Sequence, residues 1–320
     1  MMSNDIPVVT ARRPQSGATR KWMAIKRNGG LYVLLLPSVI LLILFAYWPM
    51  YGVMIAFKDY ANATGILGSP WADPFYKYFL KFFNSYQFSS TIRNTLVVSF
   101  YSLLAGFPIP ILLALGLNQM RAERFKRFFQ TISYLPHFIS TVVMVGLIII
   151  WLSPSSGLIG SFYRIFGAEA PNLMGSAAAF SSIYVWSDVW QHMGWNSIIY
   201  LAALASVDPS LYEAATVDGA SRWHKIRFID LPMLMPTAVI LLIMSAGGIM
   251  NVGFEKVYLM QNNLNLVNSE VISTYVYKIG IINNQYSYSA AINLFNTVIN
   301  LILLVAVNQV SRRLTENSLW

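Results

Sequence analysis

Two ionisable side chains, Asp188 and His192, stand inside an otherwise apolar segment of this 320-residue chain. They are four residues apart, so on a helix they share one face and can pair. A carboxylate in a bilayer is expensive and usually functional, which makes the pair a candidate site. The alternative is a structural pair that faces a neighbouring helix or the outer water. One such pair gives little support to a proton-coupled transporter, because those proteins usually carry several.

Enzymatic and metal-binding patterns are absent from the sequence. The chain has no cysteine, which excludes disulfides, iron–sulfur clusters and thiolate zinc sites, and its three histidines share no ligand spacing. No lysine follows a glycine, so there is no Walker A loop for nucleotide hydrolysis, and the HExxH and GxSxG motifs are missing. We therefore expect no catalytic residue, no metal site and no cofactor in this chain.

The composition is that of a membrane protein. Hydrophobic residues make up 56% of the chain and charged residues only 11%, against ~25% in soluble domains. A hydrocarbon core ~30 Å thick needs about 20 apolar helical residues, and lipid offers free backbone groups no partner. The sequence therefore predicts an all-α membrane protein with six transmembrane helices. The predicted spans are Gly30–Phe57, Ile92–Leu117, Thr131–Leu152, Phe180–Ala205, Leu231–Val252 and Ala290–Val310.

The distribution of lysine and arginine predicts the orientation. With the N-terminus inside, 15 of the 22 Lys and Arg residues fall on inner segments and six on outer loops, and such an excess marks the cytoplasmic side. Positive charge spread over four short inner segments also argues against nucleic-acid binding, despite a net charge of +9. We expect a basic cytoplasmic segment at 1–29, a six-helix membrane domain at 30–310 with an inner loop at 206–230, and a cytoplasmic tail at 311–320.

The strongest local pattern lies in that inner loop, between the fourth and fifth spans. Asp208 can cap a helix whose first turn holds Pro209, and Gly219 permits a sharp turn after it. A second helix follows, and Pro232 and Pro236 are expected to break the chain and redirect it into the fifth span. The loop is thus predicted to be a short helical elbow that inserts into a groove of another protein. The alternative is an ordinary loop on the membrane surface.

The residues of this elbow match a family pattern. Glu-Ala-Ala, a glycine and then Ile-x-Leu-Pro form the EAA motif, and the chain resembles the permease subunits of binding-protein-dependent ABC importers at every motif position. The motif residues are Glu213, Ala214, Ala215, Gly219, Ile229, Leu231 and Pro232. Further stretches are similar to the carbohydrate permeases of the LplB type, and the match covers nearly everything after residue 30. These stretches are residues 47–60, 68–71, 93–96, 134–140 and 311–320.

The resemblance implies a type I ABC permease fold in the lipid of the bacterial inner membrane, with both termini cytoplasmic. The chain would pair with a second, related permease subunit above two ATPase subunits, which bind ATP and Mg. A periplasmic solute-binding protein would deliver a polysaccharide or oligosaccharide, and the resemblance favours the first permease subunits of alginate importers. The EAA helix would be the coupling helix, with the motif residues joined by Asp218, Ala220 and Arg222.

A carbohydrate path needs hydrogen-bonding groups and aromatic faces rather than a charge relay. Candidates on the fourth span are Trp186, Asp188, Trp190, His192 and Asn196. Candidates on the sixth span form one helical stripe: Asn293, Asn296, Thr297 and Asn300. For this stripe the alternative is hydrogen bonding between helices, a common use of such residues in lipid. Because an acidic sugar would be repelled by Asp188, either the substrate is neutral there or Asp188 is paired.

Three other functions compete with this interpretation. One is an ABC permease for another solute, and the second is a secondary transporter that works alone. Co-purification with an ATPase would separate the secondary transporter from the ABC permease. The third, a membrane-embedded enzyme, is disfavoured because the sequence offers no nucleophile with a base and no metal ligands.

Overall fold

The computed structural model describes residues 28–315, so residues 1–27 of the predicted basic segment and the last five residues of the predicted tail lie outside it. The chain divides into two units, the first ending at Met54 and the second beginning at Ile55. Regular structure within the described residues is helical, apart from an isolated antiparallel bridge between Lys58 and Trp71.

The helices are labelled in chain order. The first, α1, comprises Gly29–Phe57 and includes a π turn at Ile43–Tyr47. The others are α2 (Lys77–Phe83), α3 (Tyr86–Gly106), α4 (Pro108–Asn118), α5 (Glu123–Tyr134), α6 (Thr141–Trp151), α7 (Leu158–Ile165), α8 (Ala177–Ala205), α9 (Pro209–Val217), α10 (Arg222–Gly247), α11 (Phe254–Met260), α12 (Ile272–Tyr277) and α13 (Tyr286–Thr315). Shorter pieces are Gly65–Gly68, Leu135–Phe138, Leu266–Ser269 and the π turn Lys278–Ile282.

Four helical stretches between residues 28 and 315 are long and apolar enough to cross a membrane: α1, α3 with α4, α10 and α13. A fifth is reached if α5 and α6 together form one bent span. At 29 residues α8 is long enough to cross, but it is not among the four. The all-α membrane architecture is confirmed, and the count of six spans stays a prediction. The last helix also runs to Thr315, five residues beyond the predicted end of the membrane domain at residue 310.

The third predicted span, Thr131–Leu152, is wrong as a continuous helix. The axis of Glu123–Phe138 and the axis of α6 differ by 101°. A 3₁₀ turn at Leu135–Phe138 replaces the α-helix and holds Pro136 near its start, since proline lacks an N–H and its ring clashes with the preceding helical turn. Ser140 then caps α6, because its hydroxyl accepts a hydrogen bond from the amide of Val143 (3.4 Å). The chain stops one helix and starts another within a few residues.

The second unit packs around α8. The N-terminal half of α8 buries Phe180 and Val185 against α3, α6 and α11. Its C-terminal half buries Tyr200 and Leu204 against α4 and α10. A separate cluster around Phe82 joins α2, α12 and α13. Helix α8 carries the most candidate site residues, and it is also the helix against which these neighbours pack.

Close backbone contact fixes α8 against α5. A Cβ atom added at Gly194 of α8 would lie 2.1 Å from the carbonyl oxygen of Ser133 in α5. Atoms cannot approach that closely, so any side chain at this position must separate the two helices. Gly194 therefore sets the position of the residues around it, including His192 and Asn196.

We expect Gly194→Ala to lower the melting temperature of the purified protein, because overpacking a tight contact costs about 1–3 kcal/mol and exceeds the gain in helix propensity. Gly146→Ala in α6 is the matched control, since nothing lies within 4 Å of a Cβ there. Thermal unfolding in detergent measures both variants. Equal melting temperatures for the two variants would contradict the close packing of α5 on α8.

Candidate functional site

The elbow has the local structure that the sequence predicts. Asp208 caps α9 by accepting a hydrogen bond from the amide of Ser210 (2.9 Å), and proline occupies the first turn. Gly219 has a φ of 73°, a left-handed conformation that favours glycine. The amide of Ala220 donates to the carbonyl of Ala215 (2.8 Å), and that of Gly219 to Thr216 (3.1 Å). These two bonds form a Schellman motif, which closes the end of α9.

The outer surface of the elbow is unpartnered within the described chain. Helix α9 has no buried residue, and Val217 is 88% exposed. The motif residues differ in exposure. The exposed ones are Glu213, Ala214, Asp218, Gly219, Arg222 and Pro232, and the half-buried ones are Ala215, Ala220, Ile229 and Leu231. Leu211 and Trp223 add exposed apolar surface beside these charges, so the elbow presents a compact surface of mixed character.

The expectation that Pro232 and Pro236 break the chain is wrong. The helix α10 runs from Arg222 through both prolines to Gly247. A π turn at Ile226–Asp230 directly precedes Pro232, and such a turn is wider than an α turn. It relieves the clash of the proline ring with the preceding turn, and Pro232 stands at the start of the following α segment, where its missing N–H is tolerated. The elbow is therefore joined to the fifth predicted span by continuous helix.

Asp230 is a functional candidate that the sequence reasoning missed. Its side chain is 0% exposed. The hydroxyl of Tyr212 in α9 donates to one carboxylate oxygen (2.5 Å), and the amide of Gln119, just after α4, donates to the other (2.8 Å). Burial, and then this hydrogen bond, raise the pKa of Tyr212 to about 12, so the hydroxyl remains a donor at neutral pH. The signal in the sequence that could have identified Asp230 is a lone carboxylate at the edge of an apolar run.

A cleft of about 700 Å³ lies between α3, α4, α8 and α10. Hydroxyl, amide and aromatic groups share its walls with aliphatic side chains. Its polar and aromatic lining residues are Ser99, Ser102, Phe107, Tyr184, Asp188, Trp195, Asn196, Tyr200, Ser245 and Asn251. Two of the predicted path residues, Asp188 and Asn196, are thus brought to the same cavity.

The charge of Asp188 is balanced within the protein. Lys256 of α11 places its ammonium 3.2 Å from the carboxylate, and its side chain is 6% exposed. The same ammonium donates to the carbonyl of Tyr184 (3.2 Å). His192 lies 3.5 Å from the carboxylate on the other side, and its exposed fraction is 34%. The sequence placed Lys256 in an outer loop and gave no sign of this partner.

The remaining path candidates lie elsewhere. Trp186 donates to the hydroxyl of Tyr101 (2.7 Å), and the ring of Trp190 packs against that of Trp151 in α6. His192 contacts the ring of His137 at a centroid distance of 5.4 Å. None of these three path candidates lines the cleft. Residues 28–315 contain no cluster of His, Asp and Glu arranged to bind a metal ion.

The asparagine stripe of α13 separates into two pairs. Asn296 and Asn300 are buried, and both donate to the side-chain oxygen of Asn251 (3.0 Å each). Asn293 and Thr297 are exposed, and the threonine hydroxyl donates to the carbonyl of Asn293 (2.9 Å). The buried pair therefore makes the hydrogen bonds between segments that the alternative interpretation expects.

Comparison with known proteins places this geometry in a family. The model of the binding-protein-dependent transport system inner membrane component matches residues 106–316. Protein LplB of Bacillus subtilis (strain 168) is 39% identical over 317 residues, covering 99% of this chain and 98% of that protein. The polygalacturonan/rhamnogalacturonan transport system permease protein YteP of the same organism is 41% identical over 303 residues, covering 94% of each.

Solved structures agree with this assignment. A chain in the crystal structure of a bacterial alginate ABC transporter, in complex with an alginate pentasaccharide-bound periplasmic protein, superimposes with a TM-score of 0.86. The two chains are 40% identical, and the match covers 94% of this chain and 100% of that one. The family accounts for the absence of nucleotide-binding motifs, because ATP is hydrolysed by a separate subunit. The chain belongs to the family of binding-protein-dependent transport system inner membrane components, as a transport permease and not an enzyme.

Proposed function

We propose that this chain is the permease subunit of an ATP-driven importer that moves an acidic polysaccharide or oligosaccharide from the periplasm into the cytoplasm. The observation that carries the proposal is an exposed, capped elbow on a chain that is similar, over 94% of its length, to a permease named for polygalacturonan and rhamnogalacturonan. Relatives named for polygalacturonan and rhamnogalacturonan, and structural neighbours named for alginate, support an acidic substrate of the alginate type.

The charges around the cleft are compatible with the passage of an acidic carbohydrate. Asp188 is the charged residue among the described residues that line it. The salt bridge from Lys256 offsets the repulsion that a free carboxylate would exert on a passing uronate. Asn196, Asn251 and the serine hydroxyls offer hydrogen bonds to sugar hydroxyls, and Trp195 offers a ring face.

The elbow suits a partner below the membrane. Its small residues and exposed apolar side chains fit a groove, and Glu213 and Arg222 offer charges that can pair with groups inside that groove. The proposed assembly contains a second related permease, two ATPase subunits that bind ATP and Mg, and a periplasmic solute-binding protein. ATP binding closes the ATPase subunits, moves the elbows and opens the cleft to the periplasm, and hydrolysis resets the cycle.

Six membrane crossings complete the proposal. The crossings are α1, α3 with α4, the bent pair α5 and α6, then α8, α10 and α13. Polar α8 crosses because the surrounding helices shield it from lipid. Both termini and the elbow then lie in the cytoplasm, in accord with the arginine and lysine distribution.

Reporter fusions test this topology. Fusions at residues 70, 165 and 270 are expected to report the periplasm, and fusions at residues 125 and 220 the cytoplasm, because basic inner segments resist translocation. A periplasmic enzyme reporter and a cytoplasmic fluorescent reporter at each position give independent readings. A cytoplasmic result at 165 would refute the six-crossing arrangement.

Variants of the elbow test its docking on the ATPase. We expect Glu213→Ala to release the ATPase from the purified complex, since removing one member of a buried charged pair costs about 2–5 kcal/mol. Gly219→Val is expected to lower substrate-stimulated hydrolysis, because a β-branched residue is strained at a φ of 73°. Gly219→Asn is the matched control, because asparagine tolerates this conformation. Unchanged assembly and unchanged stimulation in Glu213→Ala and Gly219→Val would refute the docking role.

The charge balance in the cleft gives a further prediction. Lys256→Met removes the ammonium that balances Asp188 and leaves His192, 3.5 Å away, beside the half-exposed carboxylate. A carboxylate without its countercharge repels a uronate, so uptake of an oligouronate into proteoliposomes should fall about tenfold, which corresponds to 1.4 kcal/mol. The double variant Lys256→Met with Asp188→Asn should recover uptake, because the cleft is neutral again. Lys278→Met is the control, since Lys278 pairs with Glu270 away from the cleft. A double variant as impaired as the single variant would contradict the charge-balance explanation.

A further inference from the structure

Asp230 joins three segments of the chain through one side chain. Its two oxygens accept hydrogen bonds from Tyr212 of α9 and from Gln119 at the end of α4. Asn118, the last residue of α4, approaches the same carboxylate at 3.5 Å. Asp230 itself is the last residue of the π turn within α10. The elbow, α4 and α10 therefore meet at a single buried carboxylate.

Two of these three segments form walls of the cleft. Pro110 of α4 lines it, as do Leu241 and Ser245 of α10. The third segment, α9, has no buried residue. Among the described residues, two side chains of α9 make side-chain hydrogen bonds to other segments. The hydroxyl of Tyr212 bonds to Asp230 and Asn118, and the hydroxyl of Thr216 accepts a bond from Lys225 (2.6 Å). The path from the exposed elbow to α4 thus passes through Tyr212 and the Asp230 carboxylate.

The chemistry of this junction suits the transfer of movement. Hydrogen bonds to an ionised acceptor are directional and about twice as strong as those between neutral groups. Apolar packing resists separation but lets surfaces slide, because the hydrophobic effect has no direction. A carboxylate that holds Tyr212 and Gln119 at the same time fixes the orientation of α9 relative to both walls.

We propose that Asp230 is a positioning residue that transmits displacement of the elbow to both walls of the cleft. The inference rests on the proposed function, in which the elbow docks on an ATPase. It adds the residue through which that docking controls the cleft. Removing the junction should leave docking and hydrolysis in place while substrate movement no longer follows them.

The test uses the complete complex, reconstituted in proteoliposomes with its ATPase and loaded binding protein. Tyr212→Phe removes one hydroxyl from the junction and keeps the ring. Tyr275→Phe is the matched control, because the hydroxyl of Tyr275 also makes a hydrogen bond with a side chain of another segment, that of Tyr288 in the cluster of α12 and α13. Four quantities are measured: ATPase retention on size exclusion, basal hydrolysis, stimulated hydrolysis and oligouronate transported per ATP hydrolysed.

In Tyr212→Phe we expect retained ATPase and basal hydrolysis within about twofold of the wild type, and transport per ATP lower by about fivefold to tenfold, tenfold being 1.4 kcal/mol. Tyr275→Phe should keep the wild-type ratio. A merely structural role would reduce the number of active complexes and lower transport and hydrolysis in proportion. Transport per ATP would then be unchanged, and this result would overturn the inference.

Asp230→Ala supplies the second variant. It removes both acceptors, so combining it with Tyr212→Phe should lower transport per ATP no further than Asp230→Ala alone, because both changes cut one link. Additive losses would overturn the inference. If Asp230→Ala fails to assemble, the ratio in Tyr212→Phe decides. A wild-type complex that binds no ATPase would refute the proposed function itself, whereas coupled transport in wild type and in Tyr212→Phe refutes only the role of Asp230.

Discussion

Every backbone group that a broken helix frees inside a membrane must find a partner within the protein, because lipid offers none. The polar residues of this chain meet that demand. Gln191 of α8 donates to the carbonyl of Ile139, at the bend between α5 and α6 (2.8 Å). Asn300 of α13 accepts from the amide of Met250, beyond the end of α10 (3.0 Å). The breaks in neighbouring helices therefore determine where polar side chains are needed.

The same breaks shape the cleft. Residues 248–253 leave the helical path of α10 and contribute to the cleft wall. The helix that follows them brings Lys256 to Asp188, so the interruption that exposes polar backbone also delivers a countercharge. Around the cleft, α8 gains stability from contacts on several sides, which allows it to carry a polarity that an isolated span would not tolerate. The break after α10 thus determines both the packing and the charge balance around the cleft.

Local signals predicted local structure well. The cap at Asp208 and the positive φ of Gly219 follow from residue chemistry within a few positions, and long apolar runs located α1, α10 and α13. Features that depend on distant partners escaped prediction. Nothing near Lys256 indicates a partner 68 residues earlier. Pro232 suggests a break in the helix, because the π turn that accommodates it cannot be read from the sequence. Hydrophobic periodicity also treats the bend at Pro136 as interior, since the apolar residues continue across it.

The carboxylates of Asp188 and Asp230 differ in the partners that hold them, and the difference agrees with the separate tasks proposed for them. Asp188 is 40% exposed and pairs with the buried ammonium of Lys256, and a cation taken out of water depends on its countercharge, which suits a proposed wall that keeps its charge pattern as substrate passes. Among residues 28–315, Asp230 has no cationic nitrogen within 4.0 Å and is held by neutral donors. Hydrogen bonds of this kind contribute about 1.5–3 kcal/mol each, enough to orient α9. Directional bonds of that strength hold α9 to both walls of the cleft, as the proposed transmission of movement requires.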